Sequence, residues 1–326
     1  FYTQKAYYLA SVADEIYLYP EGYLEFRGLK TQATFLKGLL EKLEVEPQLI
    51  RGKNNRFKSA GEMFILDRMS EANREQTLAY VSSIWNHILD KVSGSRKIDK
   101  TQLQVIADSL LIRRPSQALE HKFVDGVIYK DELLAKLKEK LGVEDEKKIK
   151  YVTLKQYTKA HDDDGEEGNF RKPKIAVVYA QGDINSGEGD DESIGSEKIS
   201  EAIRDARKDE KVKAIVIRVN SPGGSALASD LIWREVNIAR ETKPVIVSMG
   251  DVAASGGYYI ACMADTIVAS PVTITGSIGV FGVVPNTKKF FNNKLGITFD
   301  GVKTGKYADI GDLTRPLTHD ETTIIQ

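Results

Sequence analysis

The feature that most constrains this chain is a segment that occurs twice. Tyr7-Tyr-Leu-Ala-Ser-Val-Ala-Asp-Glu-Ile-Tyr-Leu-Tyr-Pro20 aligns without a gap on Tyr258-Tyr-Ile-Ala-Cys-Met-Ala-Asp-Thr-Ile-Val-Ala-Ser-Pro271, with seven of fourteen positions identical at an offset of 251 residues. Gly28 and Gly279 keep that register. With small gaps, Lys42-Leu43 meets Lys294-Leu295, and Gly52-Lys53 meets Gly305-Lys306. Ser70 and Thr318 then open equivalent helices, and Thr318 with Glu321 has the spacing of a capping box. Chance similarity between two helix-then-strand segments would not keep half the residues over so long a run. The chain therefore folds as two related halves.

Each half is expected to be α/β. From Lys174 onward short apolar runs alternate with helical patterns. Ile175–Tyr179, Val212–Val219 and Pro244–Met249 read as strands, Ile199–Arg207 and Ser225–Arg240 as helices, and a short helix covers Tyr258–Ala264. Buried strands separated by helices predict a mostly parallel sheet flanked by helices. The division follows as an N-terminal repeat over 1–154, an acidic linker over 155–173 and a C-terminal repeat over 174–326. The linker carries His161-Asp-Asp-Asp-Gly-Glu-Glu-Gly168, which has no apolar period. Residues 174–254 have no counterpart ahead of Phe1, and the helix after Thr318 stops where its first-half equivalent continues to about Val92. Both halves are thus expected to be truncated, and the sequence to be a piece of a longer protein.

Composition excludes several function classes. A net charge of −1 among 326 residues gives no basic surface for nucleic acid. The single cysteine, Cys262, excludes an internal disulfide framework. No apolar run approaches the roughly 20 residues that cross a bilayer as a helix. No metal or cofactor is expected.

Two glycine-rich turns follow neighbouring strands, at the sheet edge where α/β sites form. One is Asp251-Val-Ala-Ala-Ser255-Gly-Gly-Tyr-Tyr259, with a serine just before a helix. Glycine lets a substrate approach the backbone closely, and the helix N-terminus offers N–H groups where negative charge develops. By itself this segment reads equally as a small-residue turn with an N-capping serine. The other turn is Asn220-Ser-Pro-Gly-Gly-Ser225, whose glycines can aim N–H groups at a substrate carbonyl. None of His87, His121, His161 and His319 lies in a glycine-rich turn or at a strand end, so a Ser-His-Asp triad has little support. Lysine remains as the base. Its amine, ordinarily near pKa 10.4, becomes one when burial away from carboxylates lowers that value.

These two turns, together with Thr275-Gly-Ser-Ile-Gly-Val-Phe-Gly282, Phe57-Lys-Ser-Ala60 and Asp67-Arg-Met-Ser70, resemble the signal peptide peptidase A (protease IV) family over nearly the whole chain. The resemblance implies a Clp-protease/crotonase-like fold, in the long form with two tandem repeats. It implies Ser255 as nucleophile, Lys58 as general base, Ser277 as the group orienting the lysine, and Gly223 and Gly224 at the oxyanion hole. The family usually has a short Gly-x-aromatic-Lys run, whereas this chain has Gly52-Lys-Asn-Asn-Arg-Phe-Lys58. The extra residues leave Lys53 as a competing base. Lys58 is preferred because an aromatic residue precedes it and Ser-Ala follows.

The resemblance further implies a serine endopeptidase acting on peptides, signal peptides among them. The parent protein would be anchored in the inner membrane of a bacterial envelope, facing the periplasm, and assembled as a tetramer. A crotonase-like acyl-CoA enzyme would share the fold without needing Ser255, and a non-catalytic scaffold is the third reading. The repeats also divide the chemistry. Gln4 stands where Ser255 would, and Ala308 aligns with Lys58, so one dyad per chain is expected.

Overall fold

The computed structural model describes residues 1–52, 54–160, 173–190 and 192–326. Lys53 and the acidic run 161–168 lie outside them. The chain forms two compact units, one of Phe1–Lys30 with Val81–Lys172, the other of Thr31–Tyr80 with Pro173–Gln326. The units do not follow the expected division. Residues 31–80, placed by sequence in the first half, cluster with the second. The expected linker also differs at its start, because Leu154–Ala160 is helical.

The first unit is mainly helical around an aromatic core. The rings of Tyr7 and Phe123 stack at 5.1 Å, Phe26 meets Phe123 edge-on at 4.9 Å, and the Tyr7 hydroxyl donates to the Phe123 carbonyl at 2.9 Å. That bond satisfies the one polar atom a fully buried tyrosine brings into a core. Helix Gln4–Ala10 precedes strand Tyr17–Leu18, which pairs in parallel with Gly126–Val127. Asp99 caps helix Lys100–Asp108, accepting from the N–H groups of Thr101 and Gln102, and Gly142 ends helix Lys130–Leu141 in the left-handed conformation that glycine adopts without strain.

The second unit contains the expected parallel sheet. Strand Lys174–Gln181 lies beside Val212–Ser221, then Val245–Ala254, whose far edge takes first Thr266–Val268 and then Ile274–Gly276. Every pairing is parallel. Ile215, Ile217, Val219, Val245 and Val247 are fully buried, alternating as the two-residue period of a strand requires. In helix Ser196–Lys208 the buried apolar residues are Ile199, Ile203 and Ala206; in Ala226–Arg240 they are Ala228, Ile232, Val236 and Ala239. Both sets repeat at helical spacing and make one apolar stripe. Ser225 caps the second helix by accepting from the Ala228 N–H.

Two irregularities position the groups at the sheet's carboxyl edge. The register between the two central strands slips after Val219 and Met249, so that Ser221 comes to face Ala253. The Asn220 side chain closes the break by accepting from the Val252 N–H at 3.1 Å. A bulge of this kind re-aims the end of a strand. Separately, Glu46–Arg51 pairs antiparallel with Phe281–Asn286 and ties residues 31–80 to the second unit.

Candidate active site

The strand Val245–Ala254 delivers Ser255 to the head of helix Gly256–Ala261. Ser255 has φ +53° and ψ −118°, a conformation that costs a non-glycine residue on the order of 1–3 kcal/mol. Its own N–H is held by the Gly276 carbonyl at 2.8 Å, which fixes the turn against the neighbouring edge strand. The space around it depends on glycine. A Cβ on Gly223 would stand 2.8 Å from the Cβ of Ser255, and one on Gly224 would stand 2.2 Å from the Ile184 carbonyl oxygen. The two turns read from the sequence as neighbours therefore touch.

Lys58 arrives from the other direction. Because Arg51 pairs with Phe281, the chain leaving Arg51 emerges beside the residues that precede Phe281, namely Ser277–Val280. The Asn55 N–H donates to the Gly52 carbonyl, and the Lys58 N–H donates to the Asn55 carbonyl in a turn that brings Lys58 back toward the strand end. Asn55 packs against Gly279, where any side chain would collide with it, and Arg51 donates to the Lys58 carbonyl at 3.3 Å. These contacts bring the Lys58 amine to 3.0 Å from Ser255 Oγ, 2.7 Å from the Ser277 carbonyl and 3.2 Å from Ser277 Oγ.

Lys58 is 6% exposed, and burial lowers its pKa below the ordinary 10.5. Desolvation is the cause, since a charged amine loses hydration that three neutral oxygens replace only in part. The buried carboxylate of Glu62 is taken up elsewhere. It accepts from Ser70 Oγ at 2.8 Å and lies 3.7 Å from Arg51. The amine geometry has a direct chemical consequence. An ammonium offers three N–H groups to three oxygens. After deprotonation the lone pair must face a hydroxyl, because the Ser277 carbonyl has no proton to give.

A cleft of about 480 Å³ opens over these groups, lined by Tyr258, Tyr259, Ile278, Val280 and Phe281 among others, and also by Gly224 and Gly256. Of the two glycines expected to supply N–H groups, Gly223 donates to Ser221 Oγ at 3.1 Å, whereas the Gly224 N–H has no partner among the described residues. The Gly256 N–H, at the first turn of the helix, is a further free donor among them. Sequence reading missed it because it began the helix two residues later, at Tyr258. Gln4, the counterpart of Ser255 in the repeat, belongs to the other unit.

Residues 2–144 and 237–326 match the profile of peptidase family S49. The chain belongs to that family. Similar proteins include Protease 4 of Salmonella typhi, 40% identical over 100% of this chain and 52% of the relative. Another is the chloroplastic serine protease SPPA of Arabidopsis thaliana, 38% identical over 99% of this chain and 48% of the relative. This S49 chain spans about half the length of both. Among solved structures, a mutant of a membrane-bound stomatin-specific protease overlaps 30% of it and 44% of its own chain, at 27% identity and a TM-score of 0.25. No helix among the described residues is long and apolar enough to cross a membrane.

Proposed function

We propose that this S49 chain carries the active site of a serine endopeptidase, with Ser255 as nucleophile and Lys58 as general base. The observation that carries this reading is the buried Lys58 amine, 3.0 Å from Ser255 Oγ and without a carboxylate partner among the described residues. Ser277 holds the amine through its carbonyl and hydroxyl. In the first step Ser255 Oγ attacks the scissile carbonyl carbon while Lys58 takes the hydroxyl proton. The carbonyl oxygen becomes an oxyanion that the N–H groups of Gly224 and Gly256 receive. Collapse breaks the C–N bond, and the leaving amine takes the proton back from Lys58. Water, deprotonated by the same lysine, then cleaves the acyl ester and restores Ser255.

The apolar walls of the cleft favour peptides with small or apolar side chains near the cut. Cleaved signal peptides have that chemistry, and we extend the proposal to them, to an envelope membrane as the place of action, and to association of copies into a tetramer. The test is a fluorophosphonate probe, which needs an activated serine. It should label Ser255, fail on Ser255→Ala and slow markedly on Lys58→Ala. An acyl-CoA enzyme or a scaffold on this fold would not be labelled at Ser255, and that result would overturn the proposal.

A further inference from the structure

The repeat and the strand pairing together expose a missing partner. In the antiparallel pair, Phe281–Asn286 belongs to the second half and Glu46–Arg51 to the first, with Phe281 opposite Arg51 and Asn286 opposite Glu46. Each strand has a counterpart in the other half. At the offset of 251 set by Gly28 and Gly279, residues 281–286 correspond to 30–35. At the offset of 252 set by Lys42 and Lys294, residues 46–51 correspond to 298–303. Neither counterpart is in a strand. Thr31, Gln32, Ala33 and Thr34 are exposed, as are residues 298–303, and neither stretch makes a backbone-to-backbone hydrogen bond among the described residues. Phe299 is 50% exposed and Val302 fully so.

We infer that residues 31–35 of one copy of this chain add as an antiparallel strand to residues 298–302 of the next copy, repeating between molecules the pairing seen within one. The observed register transfers directly. Thr31 would face Val302, Ala33 would face Asp300 and Phe35 would face Thr298. A sixth pair would set Lys30 against Lys303, and like charges directly opposite are unfavourable, so the ladder ends at five. The partner is a second copy because the two open segments are complementary to each other by the repeat. Exposed backbone whose N–H and carbonyl groups are not paired with other backbone is in any case a template for such addition. Each copy offers one segment and receives the other, so the contact is head-to-tail and generates a ring, or a filament if the rotation does not close. This names a surface for the self-association proposed above and rests on that reading only for the assembly's size.

The register makes the inference testable by cross-linking. On a Cys262→Ser background, the Ala33→Cys chain bearing a mass tag is mixed with the untagged Asp300→Cys chain under mild oxidation. A disulfide-linked heterodimer is expected. Thr31→Cys with Val302→Cys is a second in-register pair should one variant fold poorly, and Ala33→Cys with Gly301→Cys is one residue out of register, on opposite strand faces. The inference is overturned if neither in-register pair links, or if the out-of-register pair links as well. Light scattering on the unsubstituted chain reads association separately. Association without in-register linking would sink the strand pairing and leave self-association through another surface.

Discussion

Gln4 and Ser255 occupy the same place in the repeat, each at the start of a short helix, and their surroundings diverge from there. The Gln4 side chain reaches the segment that follows its strand. Its carbonyl oxygen accepts from the N–H groups of Arg27 at 2.9 Å and Gly28 at 3.1 Å, and its amide donates to the Gly28 carbonyl at 3.1 Å. The matching residues of the other half are Ile278 and Gly279, whose backbone groups have no hydrogen bond among the described residues and border the cleft. Ser255 is too short to reach them. Its backbone sits at positive φ, while that of Gln4 does not. One half thus spends a long side chain on sealing its own backbone, and the other keeps a short, strained one and an open groove. Strain of this kind is held only where surrounding structure enforces it, here by Gly276, Gly223 and the helix start.

The sharpest way to break the comparison is to exchange the short residue for an inert one. Ser255→Ala should reduce peptide turnover by at least about 10³-fold, since loss of a nucleophile removes most of the chemical acceleration. Gln4→Ala should leave turnover within about twofold, because no step of the proposed chemistry touches it. Near-normal turnover by Ser255→Ala would remove the nucleophile assignment. Lys58→Ala should cost nearly as much as Ser255→Ala, and the double variant hardly more than either, because members of one catalytic unit are not additive. The rate should also rise with pH as Lys58 loses its proton, with a limb below the ordinary 10.5 of a solvated lysine. A pH-independent rate, with full activity in Lys58→Ala, would exclude the lysine as base.

The sealed half makes a different prediction, about stability. Gln4 is 9% exposed and serves two N–H groups. Gln4→Ala leaves both without their acceptor, at a cost on the order of 1–3 kcal/mol. Chemical denaturation followed by a probe in the helical unit should register the loss. No change in midpoint would mean that water replaces the amide and that the seal is incidental.

How much of this was legible in the sequence differs by region. The parallel sheet was, because runs such as Val212–Val219 are apolar on a two-residue period and end in glycine turns. The closeness of Ser255 to the Ser221–Gly224 turn followed from two neighbouring strand ends. The assignment of residues 31–80 to the second unit was not legible. It rests on the pairing of Glu46–Arg51 with Phe281–Asn286, and each of those runs contains a proline, a signal against a strand. In the structure Pro47 and Pro285 lie opposite each other, where neither is required to donate. A proline pair of this sort appears only when both strands are seen at once. Gly223 and Gly224 likewise look alike as letters; one has its N–H turned back onto Ser221 and the other does not.

The smallest expected effect concerns the buried amine and carries a definite sign. Folding lowers the pKa of Lys58, so between the folded value and 10.5 the unfolded chain binds more protons than the native one. Stability must therefore rise with pH across that window. Below it both states are protonated, and the full cost of burying the charge is present; above it both are neutral, and that cost is gone. Lys58→Met keeps much of the side-chain volume and removes the titration. Relative to this variant, the unsubstituted protein should be less stable near neutral pH and should close the gap as pH rises toward 10.5. Contributions from other titrating groups cancel in the difference between the two proteins. Urea denaturation of both, measured at several pH values from about 7 to about 10, gives the two slopes directly. Identical slopes would mean that Lys58 has the same proton affinity folded and unfolded, and the explanation of its basicity by burial would fall with that result, whatever the distance to Ser255.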